Sequence, residues 1–190
     1  MIDQPTQSET YSFAVASSKS FSFWKTKFDV NFGLNRGKND LLLQKEIDKI
    51  HSKSYLLGFS FNTSPCKFFN LAYQLSWLKS VQGIDGKADD KLVFMSHSHN
   101  GKIWIFPSEK ISINFNVDYQ YYKEQNSPNV VFADALVRYK AKAMEWDLEC
   151  NNLFNAKRYV STSISSMSTY LSCYELRPLS ILLKVRFRII

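Results

Sequence analysis

Apolar and polar residues alternate with a period of two over segments longer than most strands, and this alternation predicts the elements of the chain. In the last segment Leu179, Ile181, Leu183, Val185, Phe187 and Ile189 fall on one face. Ser180, Leu182, Lys184, Arg186 and Arg188 fall on the other. A helix would scatter both sets around its circumference, so the segment reads as a strand. Met144, Trp146, Leu148 and Cys150 likewise oppose Glu145, Asp147 and Glu149. If these two strands are neighbours, carboxylates lie beside cations in a lumen charge ladder of Glu145, Asp147, Glu149, Lys184, Arg186 and Arg188. Opposite charges across neighbouring strands contribute about 0.2–1 kcal/mol each.

The same alternation runs through Ile111–Tyr121, Phe69–Trp77, Tyr55–Phe61, Trp24–Phe32 and Val131–Tyr139. Lys91–Phe106 is less regular, which predicts a bulge or an exposed extension around Ser96–Asn100. With a first strand at Tyr11–Ala16, the count comes to about nine. Short links are expected at Ala16–Lys19, Asn62–Lys67, Phe106–Lys110 and Lys140–Lys142. Long polar links are expected at Leu34–Ser54, Val81–Asp90, Lys123–Asn129 and Arg158–Cys173. Strict alternation of short and long links is the pattern of an outer-membrane barrel, whose spanning strands need about 9–11 residues. Tyr and Trp recur towards segment ends, as interfacial girdles require.

The fold class expected is all-β: an antiparallel meander of about nine long strands over 1–190, a segment of a transmembrane outer-membrane β-barrel. An odd count that starts on the loop side is not a complete bacterial barrel. Omitting Tyr11–Ala16 leaves eight strands that close alone, with a structural or adhesive role. A soluble ligand-binding β-barrel is a second alternative, and it would turn the aromatic face inward.

Composition bears on this in a few places. The 190 residues are 45% hydrophobic and 15% aromatic, with no apolar run long enough for a transmembrane helix. A formal charge of +7 comes without any basic run, so nucleic acid is not an expected partner. Cys66, Cys150 and Cys173 make no metal spacing, and a Cys150–Cys173 bridge is left open. Met1–Thr10 has neither a basic nor an apolar region of the kind an export signal needs.

Three features of Phe132–Ile190 carry a family resemblance. Glu145–Asn155 ends in Asn152, Leu153, Phe154 and Asn155; Tyr159 follows; and Tyr174–Ile189 leads through Leu176 and Pro178 into a closing strand that carries the aromatic Phe187. This stretch resembles the C-terminal end of TonB-dependent receptors, particularly the carbohydrate and peptide importers of Bacteroidetes-type bacteria. Leu179 stands where that family commonly has Arg after the Pro. The resemblance implies a 22-stranded outer-membrane transporter for a nutrient ligand, of which this chain is the final, truncated or separated part. The implied partners are outer-membrane lipid, the remainder of the barrel, and a plug through which the TonB complex acts. No plug domain or TonB-contacting box is legible in the sequence.

No catalytic, cofactor-binding or metal-ligating set is expected, and the chain does not read as an enzyme. His97 and His99 share a strand face, but no third ligand is identifiable, so loop or lumen histidines are the reading. A Ser/His hydrolase would also need an orienting group. Tyr170 is the one loop aromatic singled out for stacking on a sugar.

Overall fold

The computed structural model describes residues 8–43, 46–85, 87–123, 129–164 and 169–187. They form eleven strands and no α-helix: β1 (Ser8–Phe21), β2 (Thr26–Leu43), β3 (Glu46–Cys66), β4 (Phe69–Ile84), β5 (Lys87–Ser108), β6 (Ile111–Tyr122), β7 (Val130–Lys140), β8 (Met144–Asn151), β9 (Arg158–Ile164), β10 (Thr169–Glu175) and β11 (Ser180–Phe187). Nine make one antiparallel meander, β1-β2-β3-β4-β5-β6-β7-β8-β11, while β9 and β10 pair only with each other. β1 and β11 are not paired, so the sheet is open among the described residues.

A single sheet has two surfaces and no interior. Among the described residues only Ile50, Phe94, Val130 and Ala133 are buried apolar side chains. The accessible surface is 14015 Å². A water-soluble globular monomer of this mass exposes roughly 9,300 Å².

The links differ in detail from the sequence expectation. Ala16–Lys19 lies within β1, and the turn falls at Ser22–Lys25 instead. Trp24 and Lys25 take positive φ values of 59° and 45° there, and the Lys25 N–H donates to the Ser22 carbonyl at 3.2 Å. Tight hairpins favour such backbone, which Gly or Asn usually announces. Neither residue stands here, so the turn leaves no sequence signal.

Leu34–Ser54 and Val81–Asp90 are not open loops. β2 and β3 stay paired through Asp40↔Lys49 to Leu43↔Glu46, and β4 and β5 through Ile84↔Lys87. Ladder bonds are made by the backbone, so a polar ribbon holds its pairing while looking like loop in the sequence. Ser96–Asn100 is not bulged either; it pairs without a break to Gln74–Leu78 and Asp118–Tyr122. Register shifts fall at Thr63–Cys66, Gln82–Ile84 and Ile105–Ser108. Pro65 and Pro107 occupy the first and last of these, where a missing N–H interrupts the ladder next to a tight turn. The links at Asn62–Lys67, Phe106–Lys110 and Lys140–Lys142 are tight turns at the same end of the sheet as Ser22–Lys25. Of Lys123–Asn129, residues 124–128 lie outside the described residues. Arg158–Cys173 contains the β9–β10 hairpin. Cys66, Cys150 and Cys173 are all free thiols, so the Cys150–Cys173 bridge is not formed.

At the far end of the ribbon, the Asp85 carboxylate lies 2.8 Å from His51 Nε2, and the Asp85 N–H donates to the Lys49 carbonyl at 2.9 Å. The hydrogen bond from His51 holds the Asp85 carboxyl below its ordinary value of 3.8, and Lys49 and Lys38 add to the effect. A depressed carboxylate contributes stability above its unfolded pKa and loses it as pH falls through the folded one. The tip contact should therefore be intact above the ordinary carboxylate range and be lost only as pH falls through the lowered Asp85 value, below 3.8. NMR titration of the Asp85 side chain checks this: its midpoint should lie below 3.8 and rise in H51A.

Candidate functional site

Residues paired across strands share a face, so the register assigns every side chain to one of two surfaces. One surface is apolar across the sheet: Phe32, Leu57, Leu75, Tyr119 and Val131 on the central strands, and Val137, Leu148 and Leu183 towards β11. The other carries Asp29, Ser60, Gln74, Asn100, Asn116, Asp118, Asp134 and Arg138. Much of it is bonded laterally: Asn100 Nδ2 donates to Asn116 and Asp118, and Asn116 Nδ2 donates to Asp118 Oδ2 at 2.9 Å.

The expected neighbours β8 and β11 do pair, with Lys184 opposite Asp147 and Arg186 opposite Glu145. The ion pairs form one rung off the register. Lys184 Nζ reaches Glu149 at 2.6 and 2.7 Å, and Arg186 donates to Asp147 Oδ2 and stands 3.8 Å from Glu145. The centre of the cluster is a residue the sequence reading left out of the ladder. Arg138 of β7 grips Asp147 bidentately, Nε to Oδ1 at 2.7 Å and Nη2 to Oδ2 at 2.9 Å, and also meets Glu145 at 2.9 Å. Its place opposite the apolar Val137 and Tyr139 was legible; its pairing with Asp147 required the β7–β8 register. Asp147 is 1% exposed. Among the described residues three carboxylates meet three cations, so their charges balance. Arg188 lies outside the described residues.

Asn152–Asn155 forms a clasp. Asn152 and Asn155 take φ values of 57° and 52°, a conformation that Asn tolerates better than most residues. Asn152 Nδ2 donates to the carbonyls of Ala156 and Arg177, both at 2.8 Å, and its Oδ1 accepts from the Ala156 N–H at 2.8 Å. Its own N–H donates to Asp134 Oδ1 at 2.8 Å. Asn155 Oδ1 accepts from the Leu179 N–H at 3.2 Å. Two Asn side chains thus tie the end of β8 to the lead-in of β11, across the excursion that holds β9 and β10. Leu153 and Phe154 are exposed, at 41% and 64%.

Tyr159 packs between Phe132 and Tyr174, with ring centroids 5.9 and 6.2 Å away, and its hydroxyl accepts from Gln120 Nε2 at 3.4 Å. Leu176 donates its N–H to the Lys157 carbonyl at 3.0 Å. Pro178 precedes β11, and Phe187 is its last described residue, on the apolar face and 69% exposed. The Tyr170 backbone pairs with Ser163 in the hairpin, while its side chain lies outside the described residues.

His97 and His99 stand on the apolar face, not on a loop or the polar face, because they pair with Trp77 and Leu75. Tyr73 O–H lies 2.6 Å from His99 Nδ1, and His99 Nε2 lies 3.0 Å from His97 Nδ1. A consistent assignment has Tyr73 donating to His99 and His99 donating to His97. His97 stacks on Tyr121 at 4.6 Å. No group of three or more metal-ligating side chains occurs among the described residues.

Compared with protein-family models, curated proteins and solved structures, the chain has no match in any of the three.

Asn152→Ala should destabilise the chain by about 2–4 kcal/mol, three side-chain hydrogen bonds and a left-handed residue being lost together. Urea unfolding measures it; a loss below about 1 kcal/mol would show that the clasp is not needed. Asp147→Ala strands Arg138 and should cost about 1–3 kcal/mol in the same assay. Lys184→Ala, at an exposed pair, should cost no more than about 1 kcal/mol.

Proposed function

We propose that the chain is a wall segment of an outer-membrane barrel, the C-terminal strands of a TonB-dependent importer of a nutrient ligand. The observation that carries this reading is the pairing of a nine-stranded meander with one apolar and one polar face and almost no buried core. Hydrocarbon covers such an apolar face, and a wet lumen suits the balanced charge cluster and the asparagine network opposite. Tight turns gather at one end of the sheet and the long ribbons and the β9–β10 hairpin at the other, as in barrels with short periplasmic turns. The resemblance of Asn152–Asn155, Tyr159, Leu176, Pro178 and Phe187 to the transporter C-terminus supports the family. In this reading the chain carries no chemistry: it surrounds a plug and a pore supplied elsewhere.

β1 and β11 run in the same direction, so the nine strands do not close by antiparallel pairing with each other. The eight-stranded alternative needs β2 to release its outer edge, which β1 occupies from Ser8↔Asn39 to Phe21↔Thr26. Both points favour a larger barrel.

Immunoblotting of fractionated cells with an antibody against Arg158–Cys173 tests the proposal. A band in the outer membrane much larger than 22.1 kDa is expected. A 22.1 kDa band in that membrane would favour the small barrel. A soluble band would overturn the membrane reading.

A further inference from the structure

On five strands the apolar face ends in the same way. Moving away from the tight turns, β2 runs Phe32, Leu34, Arg36 and β3 runs Leu57, Tyr55, Lys53. β4 runs Leu75, Trp77, Lys79, and β6 runs Tyr119, Tyr121 into Lys123. β5 passes His97, Met95 and Val93 before Lys91. In each case the first formally charged residue on that face is a cation. Arg36, Lys53, Lys79 and Lys123 stand about ten to thirteen residues from the turn-side ends of their strands. At ~3.3 Å per residue and a tilt near 40°, that is roughly 25–33 Å, just beyond an apolar band of about 25 Å.

These four cations make no ion pair among the described residues, unlike the cations of the β8–β11 cluster. The opposite face at these levels is uncharged: Asn35, Gly37, Ser52, Ser54, Leu78 and Ser80. The acids on the cationic face whose side chains are described, Glu9, Asp40 and Asp85, stand beside Lys38, Lys49 and His51, nearer the ribbon tip. Among the described residues, lumen side chains therefore do not explain the cations, and neither do partners within the sheet.

We infer that Arg36, Lys53, Lys79 and Lys123 form a belt that binds the phosphate groups of anionic lipid in the leaflet on the loop side. The inference rests on the barrel reading. Tyr55, Trp77 and Tyr121 lie one step nearer the hydrocarbon, where amphipathic rings hold the headgroup level. The cations then lie where a phosphorylated headgroup begins, and each basic residue near an anionic surface adds attraction.

The barrel that contains this chain, extracted in detergent from the outer membranes of cells that make it, provides the test. Heat-modifiable migration reads the closed barrel, and native mass spectrometry reads bound bis-phosphorylated lipid A. Wild type should migrate as a closed barrel and retain lipid A. R36Q/K53Q/K79Q/K123Q should migrate likewise but retain about tenfold less or lower still. K25Q/K67Q/K110Q/K142Q, which removes equal charge at the tight turns, should stay within about twofold of wild type. Equal losses in the two variants would overturn the belt in favour of net charge. A closed barrel without lipid A retention would overturn the belt and leave the barrel reading standing, whereas a wild-type protein found only in the soluble fraction would sink both. Equal retention of dephosphorylated lipid A would remove the phosphate from the assignment. Equal binding of the phosphorylated headgroup sugar without acyl chains would replace the lipid with a soluble anion.

Discussion

A single β-sheet leaves one hydrophobic surface that something outside the sheet must cover. The other features of this chain depend on that constraint. In water the apolar rows from Phe32 to Leu183 would be a large aggregation-prone patch, since soluble monomers rarely expose more than a few hundred Å² of contiguous apolar surface. Backbone hydrogen bonds hold the sheet continuous, but they do not supply a core. Its stability is therefore inseparable from its surroundings, and lateral polar contacts can tune it only in small steps.

The polar face shows how those small steps are arranged. The bidentate Arg138–Asp147 pair spans β7 and β8, and Arg186 reaches the same carboxylate from β11. One carboxylate thus serves three strands where the sheet is narrowest, since β7 and β8 pair over only six residues and β8 and β11 over eight. The Asn152 clasp acts next to it. Without the clasp, the 28-residue interval between Asn151 and Ser180 would close a long loop against chain entropy, opposed by the short β8–β11 ladder, the β9–β10 hairpin and the Tyr159–Phe132 contact. The two features together set where β11 re-enters the sheet.

Face assignment and the nine strands of the meander were legible in the alternation itself. Met144–Cys150 and Leu179–Phe187 could be matched by charge before their register was known, because side-chain period is a backbone property. Three things were hidden. Turn position at Trp24–Lys25 was hidden because the strained residues are not those that usually signal a turn. The ribbons Arg36–Leu43 and Glu46–Lys53 were hidden because polar ladders resemble loops. Which carboxylate meets which guanidinium was hidden because side-chain reach shifts ion pairs by a rung. The histidines were misplaced for a related reason: imidazoles suggest a wet setting, yet parity put them among Trp77, Leu75 and Tyr121. The Asn152–Asn155 motif was visible only as a resemblance, and its hydrogen bonds give that pattern a mechanical meaning.

The odd number of strands in the meander also limits its symmetry. Two copies joined edge to edge by a two-fold axis would pair β11 with β11 and β1 with β1 antiparallel, with the axis normal to the sheet at each seam. That operation reverses the strand direction, so the tight turns of one copy would sit beside the ribbons of the other. A ring of two such copies would therefore have no distinct inside and outside ends. A rotation about the pore axis keeps the ends distinct but makes both seams parallel. A closed wall that stayed antiparallel throughout and kept all its tight turns on one side would need an odd number of further strands beside these nine, and a second copy of the same nine would not serve.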